Sequence, residues 1–165
     1  MLTIQNNTVV SGKEGECYLN YKDADGTACR KDFAQVSKIE LKIEFEKTEF
    51  NALGRRNKLH RQTGWKGTGS ATFKYNSSGL RMMADQYNKT GVLPMFDVQI
   101  INLDPQSAMV VGSQEVWAKN CILDSLILAK LDVESDIMDE DIGFTFDDFE
   151  IKDTFTNKNN ANAFV

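Results

Sequence analysis

The eight residues Lys38-Ile39-Glu40-Leu41-Lys42-Ile43-Glu44-Phe45 alternate charged and apolar side chains without a break. Period two is the repeat of an extended chain, whose successive side chains point to opposite faces. Ile39, Leu41, Ile43 and Phe45 therefore form one apolar row, and Lys38, Glu40, Lys42 and Glu44 a polar one. A helix would spread both rows around its axis. The pattern predicts a mainly β chain in which this strand lays one face on a core and the other in water.

The same period recurs. In Gly67–Tyr75, Ala71, Phe73 and Tyr75 oppose Ser70, Thr72 and Lys74, and this strand is expected to pair with the first around the segment between them. That segment, Asn51 to Lys66, lacks periodicity, contains Gly54 and Gly64, and exceeds the roughly 12 to 15 residues of a passive connection. It is expected to be a long loop with a task. Cys17, Leu19 and Tyr21 share a face ahead of Asp23-Ala24-Asp25-Gly26, whose Asp-Gly pair suits a tight hairpin turn. Strands are also expected over Met95–Asn102, where Phe96, Val98 and Ile100 share a face, and over Glu115–Leu131, with a break near Asp124-Ser125, after a loop with Pro105 and Gly112. A closing strand holds Ile142, Phe144 and Phe146, followed by Phe149 and Phe155. Leu80, Met83, Ala84 and Tyr87 instead fall at helical spacing, with Ser77 or Ser78 to cap the start and Gly91 to close the helix. With 165 residues and 41% hydrophobic content, residues 1–165 are read as a single domain, with 156–165 a polar carboxyl-terminal tail.

Residues for chemistry are scarce. His60 is the one histidine, which leaves no histidine-rich metal site, and no G-x-S-x-G elbow exists to serve a Ser-His-Asp triad. Cys17, Cys29 and Cys121 have no C-x-x-C spacing and read as reduced, partly buried thiols. Gly64-Trp65-Lys66-Gly67-Thr68-Gly69 superficially resembles a phosphate loop, but its lysine precedes the glycine and the segment leads into a strand, so structural glycines are the better reading. Asp23, Asp25 and Gly26 imitate part of a calcium loop, yet Tyr21 stands at the first ligand position and Asp32 at the last. No catalytic, metal or cofactor site is expected. The start lacks a secretory pattern and no run approaches the ~18 apolar residues of a membrane span, so folding in a cytoplasm without a membrane anchor is expected.

Charge is segregated more than its net value of -5 suggests. Asn51 to Tyr75 carries Arg55, Arg56, Lys58, Arg61, Lys66 and Lys74 with no acid, whereas Asp132 to Asp153 carries ten acids and one base, Lys152. Each run can be a solvated face. The basic run, with Trp65 available to stack on a base, also fits a β-barrel module that grips single-stranded nucleic acid, although an acidic chain suits that poorly. If the two runs lie at opposite ends, copies associate head to tail without closure. Phe144 and Phe146 are assigned to the core. Phe149 and Phe155, among Asp147, Asp148 and Glu150, are candidate anchors on a neighbouring subunit.

Gly12-Lys13-Glu14-Gly15, Gly54-Arg55-Arg56, Thr63-Gly64-Trp65-Lys66-Gly67-Thr68-Gly69-Ser70-Ala71-Thr72-Phe73, Leu131-Asp132-Val133-Glu134-Ser135 and Phe144-Thr145-Phe146-Asp147-Asp148-Phe149, in that order, resemble the XkdM-like tail tube proteins of contractile-tailed phages. The similarity runs from about Asn7 to Phe155, and departs in a longer first hairpin around Asp25-Gly26 and an Asn-rich tail. The resemblance implies a β-sandwich or barrel with one flanking helix and a long inter-strand loop, in hexameric rings that stack into a tube. The tube would conduct DNA in a phage, or pierce an envelope in a bacteriocin-like particle. The implied partners are further copies of the chain, a sheath protein, a tape-measure protein, baseplate and tail-terminator proteins, and DNA passing transiently through the lumen, with no catalysis and no cofactor. The implied location is a virion or tail-like particle assembled in the host cytoplasm. A non-contractile tail or a secretion-type injector would use the same subunit architecture. On this reading Arg55, Arg56, Lys58, His60, Arg61 and Trp65, with Asp147, Asp148, Phe149 and Phe155, make contacts between subunits or rings. Lys38, Glu40, Lys42, Glu44, Ser70, Thr72 and Lys74 are candidates for the lumen.

Overall fold

The computed structural model describes residues 11–22, 27–32, 36–76, 78–105 and 112–155. Its elements are β1 (Gly15–Lys22), β2 (Ala28–Asp32), β3 (Val36–Phe50), β4 (Leu59–Lys74), α1 (Gly79–Thr90), β5 (Phe96–Asn102), β6 (Gln114–Ser125) and β7 (Asp139–Asp153). The fold is mainly β, as the alternation requires, and the strands follow the hydrogen-bonded order β2-β1-β5-β6-β7-β4-β3. Contacts divide the chain into two compact units, one from Met1–Val36, Pro94–Cys121 and Asp148–Val165, the other from Ser37–Leu93 and Ile122–Asp147.

In the first unit β1 pairs antiparallel with β2 and, on its other side, with β5. The expected first hairpin is thus present, while its turn at 23–26 lies outside the described residues, as do Ser77 and the tail beyond Phe155. Leu19, Phe96, Val98, Ala118 and Cys121 are buried there. Between β5 and β6 the register slips by one residue, from Val98↔Ala118 to Phe96↔Cys121. Asn120 absorbs the slip with a φ of 55°, and the Asp97 carboxylate accepts its backbone N–H at 2.9 Å. Asparagine tolerates that left-handed conformation better than most side chains.

The second unit explains the glycine-rich motif. Gly67 stands opposite Phe146 and Gly69 opposite Phe144 across the β4–β7 ladder. A Cβ on either would lie 2.4 Å and 2.3 Å, respectively, from a phenylalanine ring carbon. The rings lie over bare backbone, so both glycines are structural. Ala71, Phe73, Ile142, Phe144 and Phe146 complete a buried face. Helix α1 joins this unit through Arg81, whose guanidinium reaches the buried carboxylate of Glu140 at 2.8 Å, donates to the Leu128 carbonyl at 3.0 Å and lies 4.2 Å from the Tyr75 ring centroid. Gly91 ends the helix at φ 72°, its N–H bonded to the Tyr87 carbonyl at 2.7 Å.

Several expectations need correction. The irregular loop ends at Lys58, because Leu59–Lys66 is already β4, so the second half of the expected 51–66 loop is one arm of a long hairpin. The exposed, mixed-polarity residues there carry no burial signal, yet ladder bonds to β3 suffice to hold them extended. Phe45 is 62% exposed and not core, and no residue of β3 is fully buried, since the outermost strand of the order has little to pack against. The strand expected to continue to Leu131 stops at Ser125. Phe149 lies within β7, not after it. Ser78 occupies the cap position of α1, but its side chain makes no capping bond, and Tyr87 is more than half exposed.

Candidate functional site

Strand β4 has a different neighbour over each half. From Gly67 to Lys74 it pairs with β7, whereas Leu59–Lys66 runs beyond that register as a hairpin arm with β3. Glu49 ties the arm together, accepting from the Lys58 ammonium at 3.0 Å, with His60 Nδ1 4.0 Å from its other oxygen. The connection turns at Gly54, which takes a φ of 81°. A side chain there would be strained, so glycine is required for the tip. Leu53 is fully exposed at this tip, and Arg55, Arg56 and Arg61 are exposed and form no ion pair among the described residues. Among the described residues, no acid pairs with the guanidinium groups and no side chain shelters Leu53.

At the base of the arm, Trp65 and Phe146 meet with ring centroids 6.2 Å apart at 46°. They line an open cleft of about 700 Å³ with Glu46, Lys66 and Asp147. Trp65 and Asp147 are thus brought together as part of one surface. Asp148, Phe149 and Phe155 belong to the other unit, where Phe149 and Phe155 are half-buried and the Phe149 N–H bonds to the Asp148 carboxylate at 2.8 Å. Nearby Glu150 accepts from both Lys119 and Lys152, and the Lys119 hydrogen bond foremost holds its carboxyl below the usual glutamate range. Lys119 is raised in return by that same bond.

The polar rows hold the charge pattern of the sequence. On β3, Lys42 donates to Glu44 at 2.8 Å, which lowers the Glu44 carboxyl and raises the Lys42 ammonium, and Lys38 lies 3.9 Å from Glu40. On β4, Thr72 donates to Asp141 at 2.6 Å and Lys74 to Asp139 at 2.7 Å, while Ser70 faces Gly143. Asp139, Glu140 and Asp141 are therefore occupied inside the unit, so part of the acidic run is not available to a neighbour. Each of the seven lumen candidates lies on an unburied strand face.

Sequence reasoning missed exposed apolar residues that no period marks. Phe50 is partly exposed, and Leu128, Leu131, Val133 and Ile137 are largely or fully exposed between β6 and β7. Leu128 and Leu131 fall inside the strand expected over Glu115–Leu131, where exposure has no signature in the local pattern. Among the described residues no group of acids, histidine and cysteine could hold a metal ion, and no helix is long and apolar enough to cross a membrane.

Residues 2–153 match a family described as phage tail tube protein. The chain is 35% identical over 158 residues to the phage-like element PBSX protein XkdM of Bacillus subtilis (strain 168), covering 93% of this chain and 100% of that one. Among solved structures, a chain of the PVC extracellular contractile injection system's sheath/tube terminator superposes with a TM-score of 0.66 at 13% identity, covering 88% of this chain and 97% of that chain. The SPP1 tail tube superposes at 0.60 with 10% identity, covering 90% and 82%. At such identities the structures speak to fold alone, and the fold of this chain is similar to theirs. With its sequence matched almost end to end, the chain belongs to the phage tail tube protein family.

Proposed function

We propose that the chain is the building block of a tail tube, forming hexameric rings that stack into a hollow conduit inside a contractile tail or tail-like particle. The observation that carries this reading is the β3–β4 hairpin. Its outer strand β3 stands last in the strand order over fifteen residues, and its tip exposes Leu53 beside arginines that form no ion pair among the described residues. A long open edge is a template for another strand and is normally blocked or covered. Ladder pairing with a second copy covers it, and repetition around a ring joins the sheets into one barrel. The polar rows Lys38–Glu44 and Ser70–Lys74 then suit a wet lumen along which DNA slides. A sheath outside, a tape measure inside during assembly, and baseplate and terminator proteins at the ends are the partners such a tube needs.

Nothing in this role calls for catalysis. Negative-stain images of the purified chain are expected to show rings and tubes, and Arg55→Glu with Arg56→Glu is expected to leave rings but reduce stacking. Salt-sensitive binding of single-stranded nucleic acid that is lost on Trp65→Ala, without any assembly, would instead favour a nucleic-acid module.

A further inference from the structure

The two ends of β4 differ in a way the tube reading does not itself specify. At the Leu59 end stands the hairpin tip, with Leu53 fully exposed and Arg55 and Arg56 without an ion pair among the described residues. At the Lys74 end lies the segment between β6 and β7. It is held there by the Tyr75 N–H on the Met138 carbonyl at 2.9 Å and by the Lys130 N–H on the Tyr75 hydroxyl at 3.2 Å. Sixteen residues of extended chain separate the two, about 50 Å at the usual rise per residue.

That segment turns its side chains outward. Leu131 and Val133 are fully exposed, and Asp132, Glu134 and Asp136 form no ion pair among the described residues. The Asp132 carboxylate instead accepts the Glu134 N–H at 3.1 Å, which fixes the local turn. Apolar residues flanked by unpaired acids at one end of a strand match apolar Leu53 flanked by unpaired arginines at the other. We infer that residues 131–136 of one copy are the acceptor for the hairpin tip of the next copy along the tube. The inference rests on the tube reading and names the surface that receives the tip. Leu53 packs on Leu131 and Val133, and Arg55 and Arg56 meet Asp132, Glu134 and Asp136. Because donor and acceptor are different surfaces at opposite ends of one strand, the contact repeats without closing. Opposite charge also favours that register over tip-to-tip or loop-to-loop encounters.

Full-length variants R55E/R56E, D132K/E134K/D136K and their combination test this. Each set alone is expected to raise the concentration needed for tubes by about tenfold or more, and the combination to restore assembly toward that of the unaltered chain. Independently, oxidation of a mixture of L53C and V133C proteins is expected to give a reducible cross-link joining the two positions, located by peptide mass spectrometry. Tubes that form equally well with D132K/E134K/D136K, or a mixture in which Leu53→Cys and Val133→Cys do not cross-link within tubes, would overturn the acceptor and leave the tube standing. Absence of tubes from the unaltered chain would overturn both.

Discussion

Individual residues show where charge and volume are decisive. Gly67 and Gly69 exist because phenylalanine rings occupy the space their side chains would need. Gly69→Ala is expected to destabilise by about 1 to 3 kcal/mol, the usual cost of overpacking, measured by denaturant unfolding. Glu140 is only 2% exposed, so Arg81→Ala strands a buried carboxylate and is expected to cost about 3 to 5 kcal/mol. Replacing the pair together, Arg81→Met with Glu140→Leu, should recover most of that loss. Glu150 supplies a pH signature: its folded carboxyl is lowered by Lys119 and then Lys152, so its stabilising effect is present above the ordinary glutamate value of 4.5 and lost as pH falls through the folded one. Glu150→Gln should lower stability near neutrality and flatten that acid limb, so that the variant and the unaltered chain converge in denaturant unfolding at low pH. The glycine motif was legible in the sequence as structural, but the phenylalanines it serves were not, because cross-strand register is invisible to local pattern.

At the scale of elements, alternation located β3, β4, β5 and β7, and helical spacing with Gly91 located α1. The errors share one cause. Periodicity reports burial, so it is silent where a strand is held by ladder bonds alone, as in Leu59–Lys66, and misleading where apolar residues continue past a strand's end, as between Ser125 and Leu131. The same blindness assigned Phe45 to a core it does not reach. Phe45→Ser is accordingly expected to change the stability of the free subunit by less than about 1 kcal/mol, because little buried area is lost. If the exposed β3 face is covered in the ring, the same variant should weaken assembly markedly in sedimentation. Of the proposed contact residues, Arg55, Arg56 and Arg61 were readable as an acid-free run. Leu53 was not, since a single leucine beside a turn has no pattern until the hairpin shows that nothing shelters it.

For the whole molecule, the chain's charge segregation becomes meaningful once its runs are placed. Part of the acidic run neutralises β4 from within, through Asp139 and Asp141, and buried Glu140 anchors the helix. Among the described residues, Arg55, Arg56 and Arg61 on the hairpin arm and Asp132, Glu134 and Asp136 beyond the other end of β4 form no ion pair. On the proposed tube reading, these surfaces are the ones a second copy would cover. Electron microscopy of the purified full-length chain decides whether it builds a tube. Hollow tubes of stacked six-fold rings are the predicted result; a monodisperse monomer at the highest attainable concentration, unchanged by Arg55→Glu with Arg56→Glu, would contradict it.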